Sequence, residues 1–319
     1  MVGSTGCRRV GFGCSGCLFF VVELIGLWFC RRPWQPTFKT EWQTIKSYFQ
    51  FGKFHLIAIN ITLLLDTFDD FWVGTFLGSN PLGFYSKAYE FARYPRGVVA
   101  DPISRVAFPI FARFQTDRYL LSRTFFQASS ILVRVGFGLA GVFAFVAPEF
   151  IRLFLGSKWL PMQLTFQLMI VYTLLDPLLL MIRQLFLANG KPKILARIQL
   201  WQMLFFLPAV IIFSRFWAIE GVALAADLML MLGFLLVLPA LRQTVDFSLQ
   251  QLVAVPLLAL ILSWVGGAFI IRWLPEGHTA VILVQKGLTM TLIYAGILLL
   301  LEHKQIIEST RTIKQLLHQ

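Results

Sequence analysis

Leu252–Ile271 reads LVAVPLLALILSWVGGAFII, twenty consecutive residues without a charge. Crossing the hydrocarbon of a bilayer takes about 20 mostly apolar residues in an α-helix. Ile198–Ser214 and Gly287–Leu301 are nearly as apolar. Reading outward through isolated charges predicts nine spans at about 10–30, 54–77, 84–111, 125–151, 162–188, 194–213, 218–239, 252–272 and 281–301. The fold class expected is all-α, a polytopic transmembrane helix bundle. Turn chemistry separates the spans at Gly78-Ser79-Asn80-Pro81, Gly156-Ser157-Lys158, Asn189-Gly190-Lys191-Pro192 and Pro275-Glu276-Gly277.

Composition agrees. The 319 residues are 57% hydrophobic and 14% charged, too few charges for the surface of a soluble domain of this length. A net charge of +12 raises the question of nucleic acid. The basic residues fall between apolar segments, however, as loop anchors do, so no nucleic-acid partner is expected.

Alternate loops differ in charge. Those after odd-numbered spans carry Arg31, Arg32, Lys39, Lys46, Lys53, Arg113, Arg118, Arg123, Lys191, Lys193, Arg197, Arg242, Lys304, Arg311 and Lys314. Opposite them lie Arg8, Arg9, Arg152, Lys158, Arg215 and Arg272. Positive loops stay inside, which puts the C-terminus in the cytoplasm and the N-terminus outside.

The expected organisation is an atypical leader and first helix over 1–30, then a basic loop with an amphipathic surface segment over 31–52. A six-helix lobe follows over 53–240, two peripheral helices over 241–301 and a cytoplasmic tail over 302–319. Arg8 and Arg9 before an apolar stretch resemble a signal peptide, but Cys30-Arg31-Arg32-Pro33 lacks a small-residue cleavage site, favouring an uncleaved helix. All four cysteines lie in the first thirty residues, and the lone Cys14-Cys17 pair has no partners for a zinc site. Neither metal nor cofactor is expected.

Charges inside spans are costly and need a partner, a wet cavity or a function. On a helical wheel His55, Thr62, Asp66 and Asp69 share one face of the second span, with Asp70 beside them. The third span holds Lys87, Glu90, Arg93, Arg96, Asp101 and Arg105, where local ion pairing and cavity lining both fit. Arg134 lies deep in the fourth span and could bind a phosphate or pair with an acid of span two or three. In the fifth, Thr165, Tyr172, Asp176 and Arg183 align, and Pro177 is expected to interrupt the backbone beside Asp176. Asp227 stands alone in the seventh span. The polar residues thus collect in spans two to five, which predicts a hydrophilic cavity there. No P-loop, HExxH or GxSxG occurs, so catalysis is not expected.

Certain runs resemble a known family. Asp69-Asp70-Phe71-Trp72-Val73-Gly74-Thr75-Phe76-Leu77-Gly78 and Leu82-Gly83-Phe84-Tyr85-Ser86-Lys87-Ala88-Tyr89 are similar to a hallmark of Wzx-type polysaccharide flippases. Phe108-Pro109-Ile110-Phe111-Ala112-Arg113, Gly156-Ser157-Lys158-Trp159-Leu160-Pro161, Asn189-Gly190-Lys191-Pro192 and Gly221-Val222-Ala223-Leu224-Ala225 follow in the family's order. The family belongs to the multidrug/oligosaccharidyl-lipid/polysaccharide exporter superfamily. The resemblance implies two six-helix lobes around a cavity, with this chain as the second lobe plus two extra C-terminal helices and with the N-terminal lobe lacking. A fragment, a misplaced start and a partner chain supplying the first lobe are the readings of that difference. It further implies flipping of a lipid-linked oligosaccharide of the undecaprenyl pyrophosphate type across the bacterial cytoplasmic membrane, with polysaccharide assembly proteins as further partners. Arg93, Arg96, Arg134 and Arg183 are then the candidate anion contacts. Asp66, Asp69, Asp70, Glu90, Asp101, Asp176 and Asp227 are candidates for the polar lining or ion coupling. The alternatives are a drug or cation antiporter of the same superfamily, a membrane enzyme, or an inactive remnant.

Overall fold

A computed structural model describes Val22, residues 41–271 and residues 278–317, with side chains through Glu302. The chain divides into two compact units, Met1–Tyr48 and Phe49–Gln319. Of the first, little more than the start of one helix is described. The expected span over 10–30 lies, apart from Val22, outside the described residues.

The remaining expected spans fall on helices, and no strand occurs among the described residues. Helix α1 runs Trp42–Trp72, α2 Ser79–Pro95, α3 Asp101–Arg113 and α4 Arg118–Phe145. A short α5, Ala147–Phe150, precedes α6, Gln163–Leu168, and α7, Ile170–Ala188. Helices α8, Pro192–Thr244, α9, Val255–Ile271, and α10, Thr279–Leu317, complete the bundle. Among the described residues, five helices are long and apolar enough to cross a membrane, including the 53-residue α8. At Trp217 and Ala218 α8 leaves helical geometry, and Ala218 has φ 44°. That kink separates the two spans expected over 194–213 and 218–239. The backbones close tightly there: a Cβ on Gly221 would stand 2.2 Å from the Phe213 carbonyl oxygen.

Helix α1 starts at Trp42 and runs without a break from the segment over 31–52 into the second span. Past Pro36 only Gly52 interrupts the helix formers, and one interior glycine costs only about 1 kcal/mol. The fifth span breaks at Met169, between α6 and α7, whereas α7 passes through Pro177 without interruption. Thr173, whose carbonyl a residue at 177 would ordinarily bond, turns its hydroxyl to the carbonyls of Ala92 and Met169.

One local device appears twice. The π-helical turns Val73–Leu77 and Ile151–Leu155 each end on a glycine whose N–H bonds back five residues, Gly78 to Val73 and Gly156 to Ile151, both at 3.0 Å. Gly78 has φ 102°, ψ 176° and Gly156 φ 91°, ψ 162°, a region almost closed to other residues. Replacing either by alanine is expected to lower stability by about 1–3 kcal/mol. Alanine at Gly136, a helical site with open space beyond it, should leave the melting temperature unchanged or raise it. Thermal unfolding of the three variants in detergent checks this contrast.

The apolar interior of the second unit forms two clusters. One gathers Ile61, Leu65, Tyr85, Ala92, Phe166, Met169 and the middle of α8 from Phe206 to Leu230. The other gathers Ala100, Phe111, Phe125, Leu132, Leu178, Leu185 and both ends of α8, and extends to Leu252, Leu260, Met290 and Tyr294 of the last two helices. Those last helices are buried over 28% and 17% of their apolar windows, against 50–56% for the other three membrane-length helices, so they pack by one face.

Candidate functional site: a polar belt between two apolar cores

The clusters meet along a definable line. On the α2–α3 run the boundary falls between Ala92 and Ala100, and on α7 at Leu179, which packs against both. On α8 it falls between Leu195 and Phe206 and again between Leu230 and Val237. Arg96, Asp176, Gln199, Gln202 and Gly233 occupy that line. A guanidinium placed in an apolar layer costs several kcal/mol, so the sequence concentrates its polar groups where the layers end.

Arg96 Nη1 donates to both carboxylate oxygens of Asp176, at 3.0 and 2.9 Å, and Arg96 Nε lies 3.6 Å from Asp101. Asp176 is buried and Arg96 half-buried. Pro95 precedes Arg96, and the π-helical turn Arg96–Ala100 widens the helix there, carrying the arginine toward α7. Arg93 lies over the Tyr89 ring, 5.2 Å from its centroid, and donates to the Tyr89 hydroxyl at 3.4 Å. The Tyr89 and Tyr172 hydroxyls stand 2.9 Å apart. Asp66, half-buried, makes no hydrogen bond or ion pair among the described residues but lies within the electrostatic reach of Arg93 and Arg183.

Other candidates are placed elsewhere. Asp69 is 2% exposed, accepting from the Tyr85 hydroxyl at 2.7 Å and the Asp70 N–H at 2.9 Å, while Asp70 accepts from Ser86 at 2.8 Å. Both tie α1 to α2. Glu90 pairs with Lys87 at 2.6 Å on an exposed face, an i,i+3 contact worth only a few tenths of a kcal/mol. Asp227 accepts the Tyr172 backbone N–H at 2.9 Å. That N–H is one of the unpaired donors at the start of α7, so Asp227 caps the broken helix from α8. Arg134 is bidentate with Glu302 of α10, not with an acid of the second or third span. Arg183 makes no ion pair or hydrogen bond among the described residues and lines two adjoining cavities with Gln199.

Charge counting passes over Gln199 and Gln202, Tyr89, and the partner Glu302. The glutamines, three apart in an otherwise apolar span, were the available signal. Among the described residues no group of His, Cys, Asp and Glu could hold a metal ion.

Sequence comparison places this architecture. The family described as Polysaccharide biosynthesis protein matches residues 17–164. The teichuronic acid biosynthesis protein TuaB of Bacillus subtilis is 32% identical over 130 residues, 41% of this chain and 27% of that protein. The amylovoran biosynthesis protein AmsL of Erwinia amylovora is 26% identical over 168 residues, 53% and 43% of the two chains. The lipopolysaccharide biosynthesis protein WzxC of Escherichia coli is 27% identical over 211 residues, 66% and 41%. The chain is thus similar to proteins of polysaccharide biosynthesis. Its fold agrees with a solved structure of the lipid II flippase MurJ in an inward closed conformation, at TM-score 0.64 and 19% identity, covering 78% of this chain and 53% of that one. The matches thus span less than half the length of these curated relatives. The family-matched region holds α1–α5, and with them Arg93, Arg96, Arg134 and the Asp69–Tyr85 tie.

Proposed function

We propose that the chain serves as a flippase, moving a lipid-linked oligosaccharide across the bacterial cytoplasmic membrane for surface polysaccharide synthesis. Transport rather than catalysis is its role. The observation that carries this reading is the polar belt, a set of arginines, carboxylates and tyrosines at the seam of an apolar bundle related to polysaccharide exporters. An uncharged sugar chain asks for hydroxyl and amide partners, and an anionic pyrophosphate asks for guanidinium donors in fork geometry. Tyr89, Tyr172, Gln199 and Gln202 are proposed for the first, Arg93 and Arg96 for the second. Asp66, Asp101 and Asp176 balance that charge, while Asp69, Asp70, Asp227 and Arg134 hold helices together and Glu90 pairs within its own helix.

The lipid carrier is taken to be of the undecaprenyl pyrophosphate type, with polysaccharide assembly proteins as neighbours. The charge asymmetry of the loops supports a cytoplasmic C-terminus. Residues 53–240 are proposed as the six-helix lobe and 241–301 as two peripheral helices, with 1–30, 31–52 and 302–319 as first helix, basic segment and tail. The test is made in the producing cell: loss of the chain should leave lipid-linked oligosaccharide on the inner leaflet and strip the surface polysaccharide. Intact polysaccharide with altered drug or cation tolerance would replace this reading by an antiporter.

A further inference from the structure

Arg183 is the guanidinium of the belt region that its neighbours do not answer. The carboxylate nearest along its own helix, Asp176, has both oxygens engaged by Arg96. From the elements packed around Arg183, the groups that face it are Asp66, His55 and Thr62 on α1, Tyr172 and Asp176 on α7, Arg96 beyond them, and Gln199 on α8. None of these forms an ion pair or hydrogen bond with it. Asp66 and Asp176 offset its charge only at a distance, which leaves its N–H donors without an acceptor among the described residues.

Beside it stands an unanswered acceptor. Gln199 is 6% exposed, and its Oε1 is buried without a hydrogen-bond partner. Gln199 Nε2 donates to Thr62 Oγ1 at 2.7 Å, and Thr62 donates onward to the Ala58 carbonyl at 2.9 Å, so Thr62 has no proton left for the glutamine oxygen. Arg183 and Gln199 line a cavity of about 120 Å³ between α1, α7 and α8, and a second of about 50 Å³ adjoining it. One water needs about 10–15 Å³ of such space, so the larger has room for one tetrahedral oxyanion.

We infer that Arg183 and Gln199 form a binding site for a small oxyanion that keeps at least one proton, such as hydrogen or dihydrogen phosphate. The guanidinium donates to its charged oxygens, and the Gln199 oxygen accepts from its hydroxyl. Sulfate, which carries no proton at neutral pH, presents only lone pairs to Gln199 and is rejected. The site is independent of the flippase reading, since binding is read without transport.

Equilibrium dialysis of the detergent-purified chain with radiolabelled inorganic phosphate tests it. Saturable binding is expected, with sulfate and chloride competing at least about tenfold less well, about 1.4 kcal/mol of discrimination. Arg183→Gln should abolish binding and Gln199→Leu should remove the preference for phosphate over sulfate. Arg183→Lys, which keeps the charge without the fork, should bind weakly and shows that loss in Arg183→Gln is not loss of fold. Equal binding of all three anions, or unchanged binding in Arg183→Gln, overturns the site. Binding of dodecyl phosphate alone, with none of inorganic phosphate, overturns it as well and assigns the cavity to a lipid headgroup.

Discussion

Glu302→Ala is expected to destabilise the chain by about 3–5 kcal/mol, the usual cost of removing one partner of a buried ion pair. Glu302 is 4% exposed and answers both Nε and Nη2 of Arg134 from the far end of the chain. Tyr294 adds a hydrogen bond to the Arg134 carbonyl at 2.9 Å. Close packing surrounds the pair: a Cβ on Gly138 would come within 2.9 Å of Tyr294, and one on Gly141 within 2.3 Å of Leu260. Without Glu302, Arg134 loses its bidentate carboxylate acceptor against this packed seam. Helix α10 leaves helical geometry at Glu302, so the same residue anchors the point where the helix bends. By contrast Glu90→Ala, which breaks only the exposed pair with Lys87, should cost less than about 1 kcal/mol. Urea unfolding in mixed micelles, followed by tryptophan fluorescence, distinguishes the two. Comparable effects would show that the Arg134–Glu302 bridge is not a buried structural contact.

The second large effect concerns Arg96 and Asp176. Either Arg96→Ala or Asp176→Asn leaves a charged partner half-satisfied in the belt, and each is expected to abolish polysaccharide export. Exchange of the two charges, Arg96→Asp with Asp176→Arg, separates two roles. A purely structural bridge regains folding and export together in the exchanged protein. An Arg96 that meets the substrate's anion regains folding, read as detergent-stable monodisperse protein, without regaining export. The proposed function predicts the latter. The coupling is interpretable because the two residues touch, so the double variant reports their interaction rather than a sum of distant effects.

Much of this arrangement is legible in the sequence, and the reasons for the rest are specific. Leu252–Ile271 and the breaks at Gly78, Gly156 and Asn189-Gly190 follow from hydropathy and turn chemistry, which act locally. The kink at Trp217–Ala218 lies where two apolar runs were separated on the same grounds. Local rules fail where a tertiary contact decides. Pro177 reads as a break, yet the helix passes through it, while the break occurs at Met169 under the cap from Asp227. Arg134 announces its need for a partner, but that partner lies 168 residues away and no periodicity points to it. The belt is half legible: the wheel aligns Tyr172, Asp176 and Arg183, yet only the π-helical turn after Pro95 brings Arg96 onto Asp176. Gln199, neutral and therefore unremarked, completes the wall around Arg183.

The central claim, that the belt serves the passage of a lipid-linked oligosaccharide, is tested most directly by the leaflet distribution of that lipid. In cells producing the wild-type chain, an externally added glycan-modifying probe should label lipid-linked oligosaccharide on the outer leaflet. In cells producing stable Asp176→Asn protein it should label almost none while the total pool rises. Equal outer-leaflet labelling in the two strains would contradict the account.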